Sequence, residues 1–158
     1  MSKSTHRPPL VVRLMPDHAD TALWFAHGPV DYESANLTAS LEHDLADWER
    51  LYYEIHRAAW DDSERPAPAR AEVPVREVAH TAAGVLLAKR LATELGAHFT
   101  IQFDDAKTER ERWHHSPAPA SNPAAEAAFL ALEAEDKLER DEIAAIRSAG
   151  GKLQWTAE

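Results

Sequence analysis

Apolar residues recur with a helical period in three long stretches and with a strand period in three short ones, and this pattern lays out the chain. The most regular segment runs from Glu72 to Asp105, EVPVREVAHTAAGVLLAKRLATELGAHFTIQFDD. At 100° per residue, Val75, Val78, Ala82, Val85 and Leu86 share one arc. Gly84, Leu87, Ala88, Leu91 and Leu95 fill a second arc on the opposite side. A surface helix carries a single apolar stripe, so two stripes predict a helix covered on both sides. Gly96 follows the last periodic leucine and predicts a left-handed C-cap, where glycine has no Cβ penalty. Phe99, Ile101 and Phe103 then alternate with His98, Thr100 and Gln102, the period of a half-buried strand. Gly84 costs about 1 kcal/mol relative to alanine inside a helix. Its presence there, beside Ala83 and with Ala88 one turn on, predicts close approach by a neighbouring element.

Upstream, residues 1–9 read as a flexible arm. Leu10–Leu14, rich in β-branched residues, reads as a first strand. Pro16–Asp20 has turn chemistry, and Ala22–Ala26 reads as a second strand, the short connection favouring an antiparallel hairpin. Thr38 or Ser40 can cap the next helix, whose Leu41, Leu45, Trp48, Tyr52, Ile55 and Ala59 share one face. Along its flank stand Glu49, Tyr53, His56 and Trp60. The plain reading of that row is an aromatic rim over the core edge; the functional one is a recognition stripe, since Tyr and Trp are favoured interface anchors. Residues 61–71, DDSERPAPARA, form a Pro/Ala/charge linker, and 106–121 read as a mobile loop. Asn122-Pro123 opens a third helix. Its apolar positions Phe129, Leu132, Leu138, Ile143 and Ile146 drift around the surface, which predicts a kink near Glu135-Asp136. Lys152–Thr156 has the makings of a final strand.

The order β-β-α-α-β-α, with that optional last strand, fits an α+β single domain over 10–158: three main helices packed on a mostly antiparallel sheet. The 158-residue length suits one domain and a core needing neither disulfide nor structural metal. There is no Cys, which excludes thiol catalysis and Cys-containing zinc sites. No apolar run approaches the length of a bilayer span, and the first residues lack a signal-peptide core, so a soluble cytoplasmic protein is expected. The formal charge of −10, from 27 acidic and 17 basic residues, argues against direct nucleic-acid binding and is compatible with a basic protein partner or with solubility alone.

The candidate chemistry is thin. GxSxG, P-loop and GxGxxG patterns are absent. Of nine histidines, His114 and His115 are adjacent, but without a HExxH or i,i+4 partner no metal or cofactor is expected. His80 reads as a satisfied core histidine, and His56, near Glu49 and Tyr53, is the better acid/base candidate, though such a row is commonly only surface. Catalytic residues are therefore expected to be none.

Two segments carry a resemblance. LTASLEHDLADWERLYY, with Leu37, Leu41, Asp44, Leu45, Trp48 and Tyr53, resembles a helix of many small uncharacterised actinobacterial α/β proteins. In those, a second helix with the order seen here in Gly84, Leu87-Ala88, Leu91 and Glu94-Leu95-Gly96 runs into an aromatic strand. The similarity covers the middle half of the chain and consists of core and cap positions. Such proteins resemble immunity or accessory partners of toxin loci, and the resemblance implies no catalytic residue.

Together these readings favour a non-enzymatic acidic interaction module of immunity or inhibitor type. It would bind a basic protein partner through Glu49, Tyr53, His56, Trp60 and Trp113. The competing readings are a nucleic-acid mimic or anti-defence protein using Glu126, Glu133, Asp136 and Glu139, an assembly subunit forming a homo-oligomer through Trp155, and an enzyme using His56 or His80.

Overall fold

A computed structural model describes residues 9–16, 20–26, 28–60 and 72–150, the side chains of 57–60 excepted. The elements in chain order are β1 (Leu10–Leu14), β2 (Leu23–Phe25), β3 (Gly28–Pro29), α1 (Tyr32–Ala35), α2 (Ala39–Trp60), α3 (Val73–Leu95), β4 (Phe99–Phe103), α4 (Glu109–Arg112), β5 (Trp113–His115) and α5 (Pro123–Ser148). The sheet order is β3-β2-β1-β4-β5. β1 and β4 run parallel, in register from Leu10–Phe99 to Leu14–Phe103, while the other three pairings are antiparallel. The class is α+β, with a mixed but mostly antiparallel sheet.

All long helices lie on one side of that sheet. Val12 and Leu14 of β1, Leu23 and Phe25 of β2, and Phe99, Ile101 and Phe103 of β4 face them. Leu41, Leu45 and Trp48 come from α2, Leu87, Leu91 and Leu95 from α3, and Phe129 from α5, and these close the core. The rings of Phe25, Phe99 and Phe129 meet edge-on at 5.5–5.9 Å, a favoured aromatic geometry that locks α5 onto the sheet.

Local signals explain the helix starts. Thr38 accepts from the Leu41 amide at 3.4 Å at the head of α2, and Asn122 accepts from Ala125 N at 3.3 Å ahead of Pro123. Buried Glu94 joins both starts to the end of α3. Its carboxylate accepts from Thr38 N at 3.0 Å, from the Thr38 hydroxyl and from Asn122 Nδ2 at 3.0 Å.

Several expectations need correction. α3 is covered on one side only: its arc of Val75, Val78 and Leu86 is 72%, 71% and 62% exposed. Among the described residues no layer lies beyond it, so the second apolar stripe has nothing there to pack on. Gly84 meets its expectation, since a Cβ there would lie 2.5 Å from Phe103 Cζ and 2.9 Å from Trp48 Cζ2. Gly96 has the positive φ of a C-cap (74°) but an extended ψ (−165°), and a turn through Ala97 and His98, closed by Phe99 N–H donating to the Gly96 carbonyl at 3.2 Å, leads into β4. The 106–121 segment contains α4 and β5, which pairs with β4 from Gln102–Trp113 to Thr100–His115. Three residues on a sheet edge are ordered by the neighbouring strand, which their own sequence does not reveal. α5 runs unbroken across Glu135-Asp136. The drift of its apolar positions reflects departure from the body, because beyond Asp136 its side chains are exposed save half-buried Ile143. The final strand expected over 152–156, with Trp155, and the 61–71 linker lie outside the described residues.

Candidate partner-binding surfaces

The flank of α2 divides on folding. Glu49 turns inward and is 6% exposed. One of its carboxylate oxygens accepts from the Tyr32 hydroxyl at 2.9 Å, and that hydroxyl in turn accepts from Ala22 N at 3.0 Å. Burial raises the Glu49 pKa, against the lowering effect of the Tyr32 hydrogen bond. Glu49 therefore braces the β2 approach against α2 and presents no carboxylate to a partner. Tyr53 and His56 are half-buried, and Trp60 ends α2 with its side chain outside the described residues.

His56 instead belongs to a cleft between α2 and α3. Its ring lies 4.6 Å from that of Tyr52, and its Nε2 is 3.7 Å from Glu77 Oε1. Deeper in, His80 stacks on Trp48 with ring centroids 4.5 Å apart and planes 7° off parallel. Two reciprocal hydrogen bonds tie these helices: Trp48 Nε1–H donates to the His80 carbonyl at 2.9 Å, and His80 Nε2–H donates to the Trp48 carbonyl at 2.8 Å. Burial pushes the His80 pKa down, so the neutral ring is the form that fits. This is the satisfied core histidine expected from the sequence.

The cleft itself encloses about 210 Å3 and is lined by Tyr52, Ile55, His56, Glu77, His80, Thr81, Asp105 and Lys107. Asp105 arrives from the turn after β4, and burial raises its pKa. On the far side of Ile55 and His80 a second hollow of about 250 Å3 is mainly apolar, bounded by Trp48, Leu51, Ala79 and Ala83, with Arg76 at its edge. Exposed Leu51, Val75 and Val78 stand near it on the same two helices.

Trp113 lies elsewhere. It stands on the sheet face opposite the helices, 44% exposed, with its Nε1–H directed to Glu109 at 3.3 Å. Strand register places it in a row with Gln102, Arg13 and Trp24 across four strands. Arg13 in that row is paired with Asp104. The row escapes single-strand reading because each strand contributes one member; pairing alone assembles it.

His114 and His115 do not converge. His114 points to the helix side and donates to the Glu111 carbonyl at 2.6 Å, whereas His115 points to the open face and donates to the Phe99 carbonyl at 3.0 Å. Among the described residues no group of three or more His, Asp or Glu side chains is arranged to hold a metal.

With this geometry in view, the family comparison is decisive. Residues 11–106 match the model of the Serratia CdiI immunity protein-like family. The chain belongs to that family. The match spans β1 to the residue after Asp105, so the α2–α3 cleft lies within it except for Lys107, while Trp113 and α5 lie beyond the matched segment. No curated protein and no solved structure matches the chain. Among the described residues no helix is long and apolar enough to cross a membrane.

Proposed function

We propose that this protein is a cytoplasmic, non-enzymatic immunity protein that binds a basic toxin domain and blocks it. The family match over 11–106 carries the reading. The formal charge of −10 supports a basic partner, because complementary fields accelerate encounter and disfavour wrong partners. Tyr53 and His56 remain candidate contacts at the α2–α3 cleft, and Trp113 is a second candidate contact on the open sheet face. Trp and Tyr at exposed positions offer large contact area at low entropic cost.

The nucleic-acid-mimic reading has less support, since three of its four carboxylates are engaged within the chain. Glu126 is bound to His98 at 2.6 Å, and Glu133 and Asp136 are both engaged by Arg140, at 3.4 and 2.9 Å. Paired carboxylates present a weaker phosphate-like field than a free row.

The test is capture from native lysate with tagged protein, followed by purification of the captured partner. The expected result is a stoichiometric basic partner whose own toxic activity stops when the complex forms. Affinity should fall between about 0.05 and 0.3 M salt as the Debye length shrinks. A captured partner that stays fully active in the complex overturns the immunity reading, and a salt-independent affinity removes its electrostatic part.

A further inference from the structure

Asp105 is the least provided-for carboxylate in the α2–α3 cleft. It is half-buried, and among the described residues no group donates a hydrogen bond to it. Its partial burial disfavours the charged form, and no donor from the described residues offsets that. Here burial, with a smaller push from the Asp104 charge, outweighs the lowering effects of His80, Lys107 and His56 on its pKa. The same cleft holds a second carboxylate, Glu77, and the Tyr52 ring, and among the described residues its Lys or Arg lining is Lys107, which is exposed. At about 210 Å3 it has room for one long side chain.

We infer that this cleft is a receptor for an arginine side chain of the protein partner, with Asp105 and Glu77 as acceptors and Tyr52 as a flat wall. A guanidinium suits the site better than an ammonium ion. Its planar fork offers several donors to two carboxylates and can lie on an aromatic ring, and it gives up hydration more readily. Asp105 is then held in a costly state in the free protein and relieved in the complex. The inference rests on the proposal of a basic partner, but it can fail separately from it.

The separating experiment uses the isolated protein. Isotope-labelled chain is titrated with methylguanidinium chloride, with sodium chloride at matched ionic strength as the control. Saturable shifts confined to His56, Glu77, His80 and Asp105 are expected. They should weaken about tenfold or more in the Glu77→Gln/Asp105→Asn double variant, as the loss of charge-assisted hydrogen bonds implies. Diffuse shifts, absent shifts, or shifts reproduced by sodium chloride overturn the receptor. With the captured partner, the double variant should bind about tenfold more weakly. Glu139→Gln, which removes one exposed charge on α5, should change affinity less than about twofold. Equal losses in both would reduce the cleft to general electrostatics. Local methylguanidinium binding without any basic partner would leave the cleft standing and remove the proposed function.

Discussion

The two halves of α3 are built from similar residues and do opposite work. From Gly84 to Leu95, Leu87, Ala88, Leu91, Ala92 and Leu95 are buried while Leu86 stays exposed, and Glu94 ties the starts of α2 and α5 to the helix end. From Pro74 to Ala79 every side chain is exposed, although Val75, Val78 and Ala79 are as apolar as their buried counterparts. His80 marks the boundary, hydrogen-bonded to Trp48 on α2. The sheet reaches under the second half only. The first half projects beyond it and, with α2, leaves a cleft and an apolar hollow open. Stability is concentrated in one half, so the other can carry side chains that the fold does not need.

The sharpest break of this comparison is a truncation in each half. Leu91→Ala, at a fully buried position, should cost about 2–5 kcal/mol in chemical denaturation. Gly84→Ala should also destabilise, by a net of up to about 2 kcal/mol, because the new Cβ would overlap Phe103 and Trp48. That steric loss exceeds the gain of about 1 kcal/mol in helix propensity. A stabilised Gly84→Ala protein would mean the two rings can move aside. Val75→Ser and Val78→Ser, in the projecting half, should each change stability by no more than about 0.5 kcal/mol.

Titration sharpens the same contrast. The folded-state pKa of Asp105 is raised above 3.8, so its ionisation opposes folding. The effect is absent in acid, where both states are protonated, grows as pH rises from 3.8 to the folded pKa, and is constant above it. Asp105→Asn should therefore raise the melting temperature at neutral pH and lose that advantage in acid. A variant that is more stable yet binds its partner less well is the signature of a functional residue held against stability. His80 has the opposite sign. Its folded pKa lies below 6.5, so as pH falls from 6.5 toward that lower value the unfolded state gains a proton the folded state resists, and stability declines. His80→Gln should flatten that acid-side slope in thermal melts.

Much of the fold was legible in local pattern. The alternation of Phe99, Ile101 and Phe103, the face of Leu41, Leu45 and Trp48, the Asn122-Pro123 start and the tight approach at Gly84 all follow from periods and caps that neighbouring residues define. The candidate site was only partly legible. His56 is at the cleft, but Glu49 could be seen as internal only once Tyr32 and Ala22 were placed beside it. Asp105 carries no local signal of burial, because the cleft walls around it come from α2 and α3, far away in sequence.

Sequence alone determined the acidic charge, the three main helices, the strands β1, β2 and β4, and an immunity-type resemblance, because composition and short-range periodicity are properties of the chain itself. Tertiary structure decided the parallel β1–β4 pairing, the fifth strand, the cross-strand row of Trp24, Arg13, Gln102 and Trp113, and which stripe of α3 faces the core. Those depend on which surfaces meet. A stripe of valines has the same period whether or not a second layer arrives to cover it, and here none does among the described residues.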